Sequence, residues 1–178
     1  PMTVQVNSHV PDNAIERRKG TACAWVRSTS KRSISEGSGQ ATKILVPASA
    51  YVRGEGVALS SGPTLVYGPG VLLNAPPYTE RPNAAEFDVD VDVTGQYVFY
   101  VEYAAAEPRP TKVEVNGVPV GLSFLNAALR DVTGCWEASC MKRVWVDSVK
   151  LNRGRNVIRL SRDGVFPHIH GLYFRLTN

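Results

Sequence analysis

Two histidines near the end of the chain, His168 and His170, are the first candidates for metal chemistry. In an extended segment this spacing places both imidazoles on the same side, as in many metal sites. Two ligands do not complete a site, however, and His9 is the only other histidine in the sequence. We therefore favour a binding or packing role for this pair over a metal role.

The acidic run Asp88, Asp90 and Asp92 has the spacing that begins a calcium loop. A calcium loop also needs a glycine directly after the third acid and a glutamate at the twelfth position. Here Val93 and Phe99 occupy those places. The run is instead typical of a strand whose acidic side chains face water.

Cysteine usage gives no catalytic pattern. Cys135 and Cys140 flank Trp136, and their spacing allows a disulfide that closes a small loop in an oxidising compartment. The sequence alone does not decide whether this bond forms. Cys23 would then have no cysteine partner in the chain. A GxSxG elbow, a glycine-rich phosphate loop and zinc-finger spacing are all missing from the sequence. We expect a binding protein rather than an enzyme.

Aromatic residues in loops are candidate ligand contacts, because sugar rings stack on exposed aromatic faces. Trp136 follows a turn signal, and Tyr67 and Tyr78 lie in a stretch of prolines and glycines; ligand contact and packing are about equally compatible with each. Arg109 lies between two prolines that stiffen its backbone. Its side chain could donate hydrogen bonds to a polar ligand or bridge to the rim of the fold.

These residues must be positioned by strands, because the pattern from about residue 44 onward is all-β. Residues 85–93 (AEFDVDVDV) alternate apolar and acidic side chains, and residues 96–103 (QYVFYVEY) are rich in aromatic and β-branched residues. Asn116-Gly117 predicts a tight hairpin, and residues 143–151 and 156–160 predict a second one. The sequence therefore predicts an antiparallel β-sandwich of the jelly-roll type. Four aromatic residues are expected in its core: Tyr97, Phe99, Tyr103 and Trp145.

Charge is distributed unevenly along the 178 residues. The net charge of +4 arises in residues 1–45, which hold seven basic and three acidic groups. We predict a basic N-terminal extension at 1–45, with one short strand at 21–26, before the sandwich at 46–178. Such an extension attracts anionic partners, acidic glycans among them, but a solvated linker is the favoured interpretation. No apolar run approaches the ~20 residues of a membrane span, and we expect no nucleic-acid partner.

The order of these segments resembles the β-sandwich carbohydrate-binding modules of families 6 and 35, over residues of about 48–178. The pieces that carry the resemblance include residues 107–110 (EPRP), 132–136 (VTGCW), 152–160 (NRGRNVIRL) and 162–169 (RDGVFPHI). The resemblance implies a non-catalytic module, extracellular or at the cell surface, that binds a polysaccharide or glycan; anionic glycans are added to the candidates because of the basic extension. The alternative that we keep is a structural or adhesive subunit of a surface assembly, with self-association through a sheet edge.

The resemblance also implies which residues bind. Trp136 takes the place of the loop aromatic and His168 that of the polar residue near the final strand. From their own loop positions, rather than from the resemblance, we add Arg109 as a hydrogen-bonding group and Tyr67 or Tyr78 as a second wall. If His168 takes part, we expect binding to change as that histidine titrates within pH 5 to 8.

Relatives also hold a structural calcium ion near their first and last strands. Glu55 matches one of their acidic ligands, whereas Arg53 and His170 stand where other acids are expected. Calcium prefers oxygen ligands, so we expect no cofactor here.

Overall fold

The computed structural model describes residues 42–61, 68–77, 82–121 and 128–177. Eleven β-strands account for most of these residues, joined by turns and two single 3-10 turns at Ala48–Ala50 and Ala138–Cys140. The strands are β1 Lys43–Pro47, β2 Tyr51–Glu55, β3 Val57–Leu59, β4 Leu72–Asn74, β5 Pro82–Val91, β6 Gly95–Ala104, β7 Lys112–Val115, β8 Val118–Val120, β9 Lys142–Leu151, β10 Gly154–Asp163 and β11 His168–Leu176.

The strands form two antiparallel sheets. One sheet has the order β3-β4-β11-β6-β9, and β1 also pairs with β11. The other has the order β2-β5-β10-β7-β8. The predicted all-β sandwich is confirmed. The predicted division between residues 45 and 46 falls within β1, and most of the predicted N-terminal extension, including the predicted strand at 21–26, lies outside the described residues.

Consecutive long strands often change sheet. The chain passes from β5 in the five-stranded sheet to β6 in the six-stranded one, and from β9 back to β10. The prediction that 143–151 and 156–160 form a hairpin is therefore wrong, because these strands pair with different neighbours. The hairpin at Asn116-Gly117 is confirmed: β7 pairs with β8, and both turn residues have positive φ, as a tight primed turn requires.

The side chain of Asn156 stabilises the turn between β9 and β10 by hydrogen bonds to its backbone. Its buried side-chain amide donates to the carbonyl oxygens of Asn152 (2.8 Å) and Gly154 (3.0 Å), and its Oδ1 accepts from the Asn152 N–H (3.0 Å). Asn116 Nδ2 donates to the same Oδ1 at 3.0 Å. One buried amide thus joins this turn to the neighbouring hairpin, and these bonds satisfy its own polar atoms.

Alternating inward side chains of both sheets form the core. Phe99 and Phe174 stack with ring centroids 4.5 Å apart, and Tyr97 and Tyr103 are buried beside them, as predicted. The prediction for Trp145 is wrong: this residue is 52% exposed. A bulge in β9 between its pairings to Phe99 and Tyr100 explains the difference, since it shifts which residues face inward, and Val146 is buried instead.

Candidate functional site

Trp136 lies in the loop that precedes β9, and hydrogen bonds at the start of this loop attach it to the core. The buried Thr133 exchanges hydrogen bonds with Ala105 just after β6, since its N–H donates to the Ala105 oxygen and its Oγ1 accepts from the Ala105 N–H, both at 2.8 Å. The Tyr103 hydroxyl donates to the Asp131 carbonyl oxygen at 3.0 Å. The loop thus begins from a fixed point on the core.

A disulfide closes the tip of this loop. Cys135 and Cys140 are bonded, with Cα atoms 5.6 Å apart, and Trp136 lies inside the ring that they close. The structure therefore contains the disulfide whose formation the sequence alone did not decide. It limits the backbone freedom of Trp136, while the indole is half-buried against the core.

Arg109 reaches the same place from the segment between β6 and β7. Its Nη1 donates to the Phe166 carbonyl oxygen at 2.6 Å, and its Nε and Nη2 donate to Glu107 Oε1 at 3.1 and 2.8 Å. Held in this way, the guanidinium carbon lies 3.9 Å from the centroid of the Trp136 ring. This is a cation–π contact with a planar, pre-positioned donor group.

His168, the first residue of β11, is the third member. Its ring centroid is 4.7 Å from that of Trp136, with 44° between the two planes. Burial, and secondarily the positive charge of Arg109, lower the pKa of His168 from 6.5 to about 4. The imidazole is therefore neutral at neutral pH, where one ring nitrogen can donate a hydrogen bond and the other can accept one.

The structure thus brings together three of the five predicted site residues, Arg109, Trp136 and His168, which we call the tryptophan cluster. The remaining two, Tyr67 and Tyr78, lie outside the described residues. The carboxylate that orients Arg109 belongs to Glu107, whose side chain is 63% exposed. The arrangement offers an aromatic surface with neutral and cationic hydrogen-bonding groups.

Sequence reasoning missed a polar groove on the five-stranded sheet. The groove has a volume of about 470 Å³, and Glu55, Lys112, Arg159 and Asp163 are among its lining residues. Arg159 binds Glu86 at 2.7 Å and approaches Glu114, which in turn pairs with Lys112. The sequence does show alternating acidic and basic residues in the three strands that form the groove. It does not show that these strands are neighbours, because that depends on the strand order in the sheet.

Two positions at which the resemblance places acidic calcium ligands carry other side chains here, Arg53 and His170. Arg53 is paired with Glu86, and His170 with Glu102 on the other sheet. Among the described residues, no group of three or more His, Cys, Asp or Glu side chains is placed to hold a metal ion. A cationic side chain at the Arg53 position also does not suit a calcium site.

Comparison with known proteins gives a consistent result for the fold. Scans against protein-family models and curated proteins found no match. Among solved structures, a family 35 carbohydrate-binding module from Clostridium thermocellum matches 74% of this chain and 96% of its own, at 19% identity and a TM-score of 0.57. CBM35 from Paenibacillus barcinonensis matches 75% of this chain and 99% of its own, at 18% identity and a TM-score of 0.59.

A larger protein, the GH26-CBM35 β-(1,4)-mannanase of Podospora anserina, matches over 76% of this chain but only 28% of its own, at 19% identity and a TM-score of 0.56. The fold is therefore the β-sandwich found in carbohydrate-binding modules. More particularly, it is like that of family 35 modules, as the sequence resemblance implied. In the described part of the chain, no helix has the length and apolar character needed to cross a membrane.

Proposed function

We propose that this protein is a non-catalytic binding module that recognises a polysaccharide or glycan at the tryptophan cluster. One observation carries the proposal: three residues chosen for ligand contact, from three separate parts of the chain, meet in one cluster. The fold that holds them is one on which solved carbohydrate-binding modules are also built.

The indole of Trp136 supplies the apolar contact. Because the Arg109 guanidinium, the His168 ring and the core already cover parts of the indole, a sugar ring would contact only the part that stays exposed. The C–H groups of a pyranose would then replace water on that surface, and the disulfide would keep the indole in place before binding. Tyr67 and Tyr78 remain predicted as a second wall of the site.

Arg109 and His168 supply the hydrogen bonds that would orient the ligand. Among the described residues, three of the five guanidinium N–H groups of Arg109 donate to protein atoms. The other two, one on each terminal nitrogen, would donate to ligand hydroxyls at the 12% of this side chain that is exposed. The neutral imidazole of His168 adds a donor or an acceptor, depending on its tautomer. A small number of such contacts on a shallow surface gives weak affinity at each site.

The disulfide also supports an extracellular or cell-surface location, because such bonds persist in oxidising compartments. Because solved structures with this fold include carbohydrate-binding modules, we propose binding without catalysis.

A glycan array followed by calorimetric titration of the strongest neutral ligand tests the proposal. We expect Trp136→Ala to weaken binding by about five- to thirtyfold, which corresponds to one lost stacking contact of ~1–2 kcal/mol. Arg109→Ala should weaken it about as much. Arg153→Ala is the matched control, because Arg153 is an exposed arginine in the turn between β9 and β10, and it should bind like the wild type.

Melting temperatures of all variants must be measured in parallel. Weaker binding by Trp136→Ala at an unchanged melting temperature supports the proposal. Binding that Trp136→Ala and Arg109→Ala leave intact, or an array on which the wild type binds no glycan, would show that the proposal is wrong.

A further inference from the structure

The outer surface of the six-stranded sheet carries a row of large apolar side chains. The strand register places Leu45 of β1 opposite Tyr173 of β11, Tyr173 opposite Tyr100 of β6, and Tyr100 opposite Trp145 of β9. Directly paired residues point to the same face of a sheet. We call these four residues the outer aromatic row; at ~4.8 Å per strand it is about 14 Å long.

This row is accessible to a partner, since its two ends are exposed: Leu45 is 58% exposed and Trp145 is 52% exposed. Tyr100 and Tyr173 between them are half-buried. Large apolar side chains at directly paired positions on an outward sheet face indicate an interaction surface. Tyr173 is five residues beyond His168 on β11, roughly 15 Å along the strand, so the row is separate from the tryptophan cluster.

Positive charges flank the row on both sides. On one side Lys43 is paired in register with Arg175. On the other side Arg143 lies opposite Glu102. Arg143 also places its guanidinium carbon 3.5 Å from the centroid of the Tyr173 ring, and its terminal nitrogen is 3.6 Å from Glu102 Oε1. Because Arg143 covers Tyr173, the rings left for stacking are those of Tyr100 and Trp145.

Glu102, the acidic side chain beside the outer aromatic row, already forms contacts within the protein. Glu102 Oε2 accepts a hydrogen bond from the Tyr173 hydroxyl at 2.7 Å and contacts His170 Nδ1. These contacts, together with the nearby Arg143, hold the pKa of Glu102 below its usual value despite partial burial. Lys43, Arg175 and Arg143 thus outnumber the Glu102 carboxylate beside the row, so the charge of this surface suits an anionic partner.

We propose that the outer aromatic row is a second binding surface, specific for a polysaccharide that carries carboxylate or sulfate groups. Sugar rings would stack on Trp145 and Tyr100, and the anionic groups would pair with Lys43 and Arg175 on one side and with Arg143 on the other. The choice of a glycan as the polymer rests on the proposed function. A second copy of this chain fits less well, because two such cationic faces would repel each other.

Affinity electrophoresis of the full chain tests this inference, with polygalacturonate as the carboxylate probe, dextran sulfate as the sulfate probe and dextran as the neutral polymer. We expect both anionic polymers to retard the wild type and dextran not to do so. Trp145→Ala should weaken the retardation about fivefold or more, as expected for one lost stacking contact.

The charge contribution is tested with the double variant Lys43→Gln/Arg175→Gln. Its matched control is Arg153→Gln/Arg155→Gln, which removes the same net charge from two exposed arginines, Arg153 in the turn between β9 and β10 and Arg155 at the start of β10. We expect about tenfold weaker binding for the first and less than a twofold change for the second at low salt, since exposed charges act within about 10 Å at 0.1 M ionic strength. Melting temperatures show whether each variant is folded.

The two proposals fail in different ways. Trp136→Ala should leave retardation by the anionic polymers intact while it weakens binding of the neutral glycan. Equal effects of the two double variants, or wild-type retardation of Trp145→Ala, would overturn the second surface alone. Light scattering that shows a dimer lost in Trp145→Ala, or tighter binding of a single-stranded oligonucleotide than of either polysaccharide through the same residues, would overturn the choice of partner.

Discussion

The protonation of His168 gives a prediction whose size follows from the structure. The folded protein holds the pKa of this histidine at about 4, against 6.5 for the free side chain. Above pH 6.5 the ring is neutral in both the folded and the unfolded chain, so the full stability is present. As the pH falls from about 6.5 toward 4, His168 becomes protonated in the unfolded chain but stays neutral in the folded chain. Protonation therefore stabilises the unfolded state, and the free energy of unfolding decreases.

A pKa difference of one corresponds to about 1.4 kcal/mol, so the full difference between 6.5 in the unfolded chain and about 4 in the folded chain would cost ~3.5 kcal/mol. Because the ring is only half-buried and water screens part of the interaction, we expect about 2 kcal/mol between pH 7 and pH 4.5. Carboxylates titrate in the same range, so a pH profile of the wild type alone does not isolate His168. The variant His168→Gln, which keeps a hydrogen-bonding side chain but does not titrate there, provides the reference.

The assay is urea unfolding of both proteins at several pH values from 7 to 4.5. The wild type should lose about 2 kcal/mol more stability than His168→Gln over this interval. Nuclear magnetic resonance titration of the imidazole C–H signals should give a midpoint near 4 for His168. Parallel stability profiles, or a midpoint near 6.5, would refute the burial argument.

The same value corrects the pH range expected from the sequence. A histidine with an ordinary pKa would make glycan binding change between pH 5 and 8. With the pKa at about 4, binding through the neutral ring should stay constant over that range and fall only near pH 4.

Three further changes test the loop and the core. Cys135→Ser opens the disulfide, and because the closed loop is short it should cost about 2 kcal/mol in urea unfolding, with weaker glycan binding as the Trp136 loop loosens; unchanged binding would contradict the positioning role. Phe99→Ala removes a fully buried stacked ring and should cost about 4 kcal/mol by the same assay, whereas a loss below about 1 kcal/mol would contradict its place in the core. Asn156→Ala leaves the carbonyl oxygen of Asn152 without its donor and should cost about 2 kcal/mol; stability within about 0.5 kcal/mol of the wild type, the scatter for surface positions, would contradict it.

The sequence predicted the individual strands well, because period-2 alternation depends only on local residues. Phe99 and Tyr103 were placed in the core from that alternation alone. The partners of each strand could not be predicted in the same way, since β9 and β10 are close in sequence but belong to different sheets. Trp145 was misplaced for a related reason: one bulge in β9 reverses the alternation, and no residue type marks it.

The candidate site was predicted as residue types but not as geometry. Loop position and the family resemblance pointed to Trp136 and His168, and two flanking prolines pointed to Arg109. Their contact depends on three chain segments that meet only in the folded sandwich. The low pKa of His168 also needed the structure, because burial and the nearby guanidinium cause it. The polar groove and the outer aromatic row depend in the same way on strand order.

The central claim is that a glycan binds at Trp136. The chain has three tryptophans, so its indole N–H signals can be followed individually by nuclear magnetic resonance, with Trp136→Phe identifying the relevant one. On titration with the neutral glycan selected by the array, we predict a saturable shift of the Trp136 signal at constant positions of the other two. A Trp136 signal that stays fixed while the glycan binds would contradict this claim.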